Sequence, residues 1–74
     1  MQTKSFTAIV QREDDGWVSL CPELDVASQG GTADEAEANL REAVELFLES
    51  APAEEIERRL KAEVRLSQLE VQFG

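Results

Sequence analysis

One stretch constrains the chain more than any other. Ala36, Leu40, Ala43, Val44, Phe47 and Leu48 recur at three- and four-residue intervals. On a helix with 3.6 residues per turn they form one apolar stripe. Thr32 precedes the stripe as an N-cap and Glu35 follows it three residues later, the capping-box spacing that satisfies orphan N–H groups reciprocally. Asp34 and Glu35 also suit the positive end of the helix dipole. The pattern predicts a helix from Ala33 to Ser50. Its surface charges do not hold it together. Six acids and one base, Arg41, lie in that span. Glu37→Arg41 is a favourable i,i+4 pair, Glu45/Glu49 is an unfavourable one, and Glu49 opposes the negative dipole end. The helix must therefore be stabilised by packing its stripe against something else.

The residues before it supply that partner. Ser5 to Gln11 reads as a strand, with Phe6, Ala8 and Val10 on one face and Thr7, Ile9 and Gln11 on the other. Asp15-Gly16 is a hairpin signal, because glycine accepts a positive φ without steric cost. Trp17 to Cys21 is the return strand. Val18 and Leu20 are expected to line the core, which places Trp17 on the opposite face, at an edge or an interface. Pro22 cannot donate to a ladder and ends the strand. Glu23-Leu24-Asp25 forms a turn, Val26 to Gln29 a short third strand, and Gly30-Gly31 breaks the chain before the helix.

Beyond the helix, Pro52 stops one helix and can start another. Ile56 and Leu60, at i,i+4, support a short second helix from Ala53 to Ala62. Glu63 to Phe73 reads as a strand whose apolar parity changes at Ser67-Gln68. Val64 and Leu66 precede the change, and Leu69, Val71 and Phe73 follow it. A one-residue slip exchanges the two faces of a strand. A bulge or a change of pairing partner is expected there, the latter being natural in a homodimer. The order β-β-(β)-α-(α)-β predicts a two-layer α+β domain, residues 1–74, with one main helix on one face of an antiparallel sheet.

Composition removes several functions. The 74 residues suffice for one small core. Leu, Ile, Val and Phe number 19 of them, above the level that signals disorder. No apolar run approaches a membrane span, and the start, Met1-Gln2-Thr3-Lys4, lacks an apolar signal-peptide core, so a cytoplasmic location is expected. A net charge of −9 repels phosphate backbones and anionic lipid, and suits a basic protein partner. There is no His and only one Cys, which excludes His-dependent triads, His-containing zinc sites and an internal disulfide.

Each remaining candidate has a plainer reading beside it. Cys21 lacks a base to activate it and reads as a small apolar residue at a strand end. Asp14, Asp15, Glu23 and Asp25 are loop acids whose spacing matches no calcium loop. Arg58, Arg59, Lys61 and Arg65 cluster, yet Glu54, Glu55, Glu57 and Glu63 interleave with them, which favours surface pairing over nucleic acid. Gly30-Gly31-Thr32 reads as the start of a helix and not as an anion cradle. Trp17 reads equally as a partner anchor or as part of its own sheet. No catalytic, cofactor-binding or metal-ligating residue is expected. Trp17, Glu23 and Asp25 are the candidate partner contacts.

The ordered set Phe6-Thr7-Ala8-Ile9-Val10, Asp15-Gly16-Trp17-Val18, Cys21-Pro22-Glu23-Leu24, Ser28-Gln29-Gly30-Gly31-Thr32, Glu35-Ala36, Asn39-Leu40 and Glu42-Ala43 resembles the HicB antitoxin family over residues 4–50. Asp15, Gly16, Pro22, Glu23, Leu24, Gly30, Thr32, Glu35 and Ala36 carry the signature, as fold positions. The resemblance implies a partially degenerate ribonuclease-H-like fold without the nuclease's acidic centre. It also implies a non-catalytic antitoxin that neutralises a small basic HicA-type toxin, a messenger-RNA-cleaving protein with a catalytic His. Residues 51–74 supply neither a helix-turn-helix nor a ribbon-helix-helix, so no DNA-binding module is expected. The chain is more similar to the short stand-alone HicB-like proteins, which tend to form homo-oligomers. The alternative function is therefore an orphan homo-oligomeric interaction module without a toxin partner.

Overall fold

A computed structural model describes residues 3–74; Met1 and Gln2, with which the reading of the N-terminus begins, lie outside the described residues. Three strands, β1 (Ile9–Glu13), β2 (Gly16–Cys21) and β3 (Val26–Gly30), form an antiparallel sheet in the order β1-β2-β3. Two helices follow, α1 (Ala33–Ser50) and α2 (Ala53–Lys61). The fold is α+β, with α1 packed across one face of the sheet.

The β1–β2 hairpin is where expected, but its turn is shifted by one residue. Asp14-Asp15 makes the turn, and the left-handed conformation falls on Asp14, at φ +49°. Aspartate tolerates that region because its short side chain bonds locally to the backbone. Gly16 is already in β2, opposite Glu13, and a Cβ there would stand 3.4 Å from the Gly30 carbonyl oxygen. The second turn, Pro22 to Asp25, places Asp25 at φ +54°.

β1 begins at Ile9, later than the expected Ser5. The register pairs Ile9 with Leu20, and extending it would set Thr7 opposite Pro22, which has no N–H to donate. The Thr7 N–H bonds instead to Glu23 Oε1, at 3.0 Å. Residues 3–8 therefore run beside the sheet without a ladder.

The covered face of β2 is the reverse of the expected one. Ser19 and Cys21 are buried beneath α1, whereas Val18 and Leu20 lie on the open face, where Leu20 pairs with the exposed Ile9. Trp17 shares the covered face, opposite Arg12 and Gly30, and is half-buried at the sheet's end. Small residues explain the reversal, because they let the helix come close. A Cβ on Gly30 would lie 2.6 Å from the Ala36 nitrogen. Ala36 itself is fully buried, and the Ser19 hydroxyl donates to its carbonyl at 2.8 Å. A row of Val18 and Leu20 would hold that helix off the sheet.

The core is Cys21, Leu24 and Leu40, with Phe6, Val26, Val44, Phe47, Leu48 and Leu60 packed against it. The α1 stripe is thus the buried one. Its cap is as expected at Thr32, whose Oγ1 accepts the Glu35 N–H at 3.1 Å, while Glu35 Oε1 accepts from Gly31 N–H, one residue before the cap. Pro52 separates the helices, and its carbonyl accepts the Glu55 and Ile56 N–H groups of α2.

The expected closing strand does not form within the chain. Residues 63–74 are exposed and make no ladder. They stretch the molecule to 48 × 28 × 18 Å and its radius of gyration to 14.4 Å, against about 11 Å for a compact chain of this length. A sheet of three short strands has no position long enough for them.

Candidate functional site

The signature residues converge on two structural junctions. At the β2–β3 turn, Glu23 is drawn inward. Its carboxylate accepts the Thr7 N–H at 3.0 Å and the Thr7 hydroxyl at 2.5 Å, and the Cys21 thiol approaches to 3.5 Å. Desolvation pushes the Glu23 carboxyl up, but the Thr7 hydrogen bonds, with those from the backbone and from Cys21, outweigh it and hold it below its ordinary 4.5. Burial first, then the neighbouring Glu23, raises the Cys21 thiol above its ordinary 9.0. That thiol is fully buried and protonated at neutral pH, so it is a poor nucleophile. Glu23 is an ionised acceptor that ties the N-terminal segment to the turn. The pair fixes the backbone and offers neither an acid nor a base to a substrate.

At the same turn, Leu24 is wholly buried, and Arg59 of α2 donates to its carbonyl. The Arg59 guanidinium also lies over the Phe47 ring, 4.7 Å from its centroid, and pairs with Glu55 at 3.0 Å. Arg58 pairs with Glu55 too. Arg59 thus holds α2 on the core, while Arg58 pairs only within α2. Sequence spacing did not indicate the reach of Arg59 to Leu24, which spans 35 residues.

The second junction is the start of α1. Trp17, Glu13, Gly30, Gly31, Glu35 and Asn39 surround a shallow hollow there. The Asn39 amide donates to the Gln29 carbonyl at 2.8 Å, which ties the helix to β3. Asn39 belongs to the motif, yet its role needed the third strand to be in place.

The loop acids do not come together. Asp14 and Asp15 sit at one end of β2 and Glu23 and Asp25 beyond the other, separated by the strand's length of about 17 Å. Among the described residues, no group of three Cys, Asp or Glu side chains could hold a metal ion. The three candidate partner contacts are divided in the same way. Trp17 lies at the Gly16 end, Glu23 and Asp25 lie at the Cys21 end, and the Glu23 carboxylate is already engaged. No described helix is long and apolar enough to cross a membrane.

Among the described residues, two surfaces have no covering element. The open sheet face presents Ile9, Val18 and Leu20. On the covered side, a groove of about 700 Å³ runs between residues 3–8 and α1, walled by Phe6, Leu40, Val44, Leu48 and Leu60 over Cys21. Sequence reasoning missed this groove, because its existence depends on β1 beginning only at Ile9.

Two curated relatives come from Synechocystis sp. The chain is 42% identical over 55 residues to the UPF0150 protein ssr1765, covering 72% of this chain and 70% of that protein. It is 42% identical over 60 residues to the UPF0150 protein ssl0738, covering 78% and 82% respectively. No family model matches the chain. No solved structure matches it either.

Proposed function

The chain belongs to the UPF0150 family, which includes small HicB-like proteins of antitoxin type, and on that premise we propose that it is a non-catalytic, cytoplasmic antitoxin that binds and neutralises a small basic HicA-type mRNA-cleaving toxin. The observation that carries this reading is the outer surface of α1. Asp34, Glu35, Glu37, Glu42, Glu45 and Glu49 are all exposed, with only Arg41 among them to offset their charge. Such a surface steers a cationic protein into contact and repels RNA, so the chain competes for the toxin and not for its substrate. The roles of the signature residues support it: Glu23, Gly30, Thr32, Glu35 and Ala36 all serve the fold.

The test is to recover the partner and then assay it. Tagged chain, expressed in its own host, is expected to bring down a stoichiometric small basic protein containing His. Adding the chain in excess should stop that protein's RNA cleavage, and the inhibition should weaken at high salt. Cleavage that continues at full rate rules out the antitoxin reading. A second reading is favoured by one specific observation. Leu66, Leu69, Val71 and Phe73 are 59%, 86%, 72% and 99% exposed, which suits an orphan module that associates with itself. Recovery of the untagged chain alone would select it.

A further inference from the structure

We propose that residues 3–8 are a latched strap, held shut by the Glu23 carboxylate, that swings away from α1 about the start of β1 while the rest of the domain stays folded. Opening turns the groove into a bare apolar face and uncovers the Cys21 thiol. The inference goes beyond the antitoxin and self-association readings and depends on neither.

The strap is joined to the fold at few points. It makes no ladder with β2, whose pairing with β1 starts at Ile9 and Leu20. Among the described residues, the hydrogen bonds that tie it down both end on Glu23: the Thr7 N–H reaches Oε1 at 3.0 Å and the Thr7 hydroxyl reaches Oε2 at 2.5 Å. Thr3, Lys4, Ser5 and Ala8 are exposed, and Phe6 and Thr7 are half-buried. The ion pairs among the described residues lie within α2, so none of them holds Lys4. Ordering the segment costs conformational entropy at every residue, and the contacts of Phe6 and Thr7 alone offset that cost. A segment with so few buried contacts opens at a lower free energy than the ladder it adjoins.

What lies beneath gives the opening a consequence. Phe6 packs on the core and shares the groove lining with Leu40, Val44, Leu48 and Leu60. Cys21 lines the same groove and has no exposed surface. Glu23 Oε1 accepts the Thr7 N–H and also stands 3.5 Å from the Cys21 thiol, so the latch and the covered thiol share one oxygen. Swinging the strap out breaks the first contact and opens a path for solvent to the second. The apolar residues of α1 then lose Phe6 and stand free as one row. Leu60 of α2 lines the groove too, but α2 is fastened separately: Arg59 donates to the Leu24 carbonyl and lies over the Phe47 ring. The strap is therefore the door that opens first.

Alkylation of the native chain by iodoacetamide, followed by intact mass, tests the proposal, because Cys21 is the only cysteine. The labelling rate should change little in low urea, since a local opening exposes little surface. Thr7→Val removes the hydroxyl arm of the latch and leaves Glu23 beside the thiol, and Phe6→Ala removes the apolar anchor. Each should speed labelling about tenfold with helical circular dichroism retained. Arg59→Met, which loosens α2 instead, should leave the rate within about twofold. A native rate that rises with urea at the full slope of global unfolding overturns the strap. So does acceleration by Arg59→Met without acceleration by Thr7→Val. Should the Thr7 and Phe6 variants lose their helix signal, hydrogen exchange in the native chain decides. A Thr7 amide that exchanges well ahead of the β2–β3 ladder amides upholds the strap, and one that exchanges as slowly as they do overturns it.

Discussion

Glu23 shows how one side chain can be legible by identity and misread by role. Its place in the turn was readable from Pro22 and the residues around it, and a solvent-facing partner contact was the natural expectation for a loop carboxylate. The structure turns it toward Thr7, because the β1–β2 ladder stops short of Pro22 and the Thr7 N–H and hydroxyl, left outside it, take the carboxylate as their acceptor. Glu23→Gln should lower stability by about 1–2 kcal/mol at pH 7. The pH dependence has a definite sign. The folded state holds this carboxyl below its ordinary 4.5, so the unfolded state binds more protons as the solution is acidified. The contribution is complete above that ordinary value and is lost as pH falls through the depressed folded one. Urea midpoints measured on both proteins between neutral pH and about pH 3 should converge on acidification. Parallel curves would show that the ionised carboxylate contributes nothing. Gly30 is the other residue whose identity the fold dictates. Gly30→Ala places a methyl 2.6 Å from the Ala36 nitrogen, against rigid helix backbone. It should cost about 3 kcal/mol, and a smaller loss would show that α1 shifts easily on the sheet.

At the scale of elements, local chemistry was the more readable part. Capping at Thr32, the α1 stripe, the break at Pro52 and the hairpin all follow from side chains acting on nearby backbone, which is why the sequence indicated them. Which face of β2 goes inside does not follow locally. Hydrophobicity favoured Val18 and Leu20, but the close approach of α1 selected Ser19, Cys21 and Gly30 for their small size. The open face then inherited the larger aliphatics. The closing strand illustrates the same limit. Its alternation is a real local signal, yet a strand exists only when something pairs with it, and its own sheet does not. α1 also carries a local conflict that packing overrides. Glu49 lies in its last turn, four residues from Glu45, and no basic residue stands there. Glu49→Lys converts a like-charge pair into an attractive one and complements the dipole. It should raise stability by about 0.5–1 kcal/mol at low salt, and the gain should shrink as salt is added. An unchanged denaturation midpoint at low salt would mean that the helix end is frayed in the folded state.

For the whole molecule, the balance between core and charge sets the expected behaviour. Among the described residues, only Cys21, Leu24, Ala36 and Leu40 are buried apolar residues within a single chain, and a domain this small stands near the limit of independent stability. Nine excess negative charges add self-repulsion. Meanwhile Val44, Leu48 and Phe6 wait half-covered at the groove, and Leu69, Val71 and Phe73 are open to water. Self-association, the second reading of function, would bury apolar area that the single chain leaves exposed, and would place much of the stabilisation between chains. Folding and association are then linked by mass action, and the melting temperature depends on protein concentration. For a two-chain unit each tenfold rise in concentration adds about 1.4 kcal/mol in favour of the folded pair, which corresponds to about 4 °C in Tm for a unit of this size. Scans over two decades of concentration should therefore separate by about 8 °C. Val71→Asp with Phe73→Asp should melt lower and lose the concentration dependence together, since both arise from the same contact. A native Tm that stays constant across that range would mean that the small core suffices alone, and that the exposed aliphatics of residues 64–73 serve a partner other than a second copy.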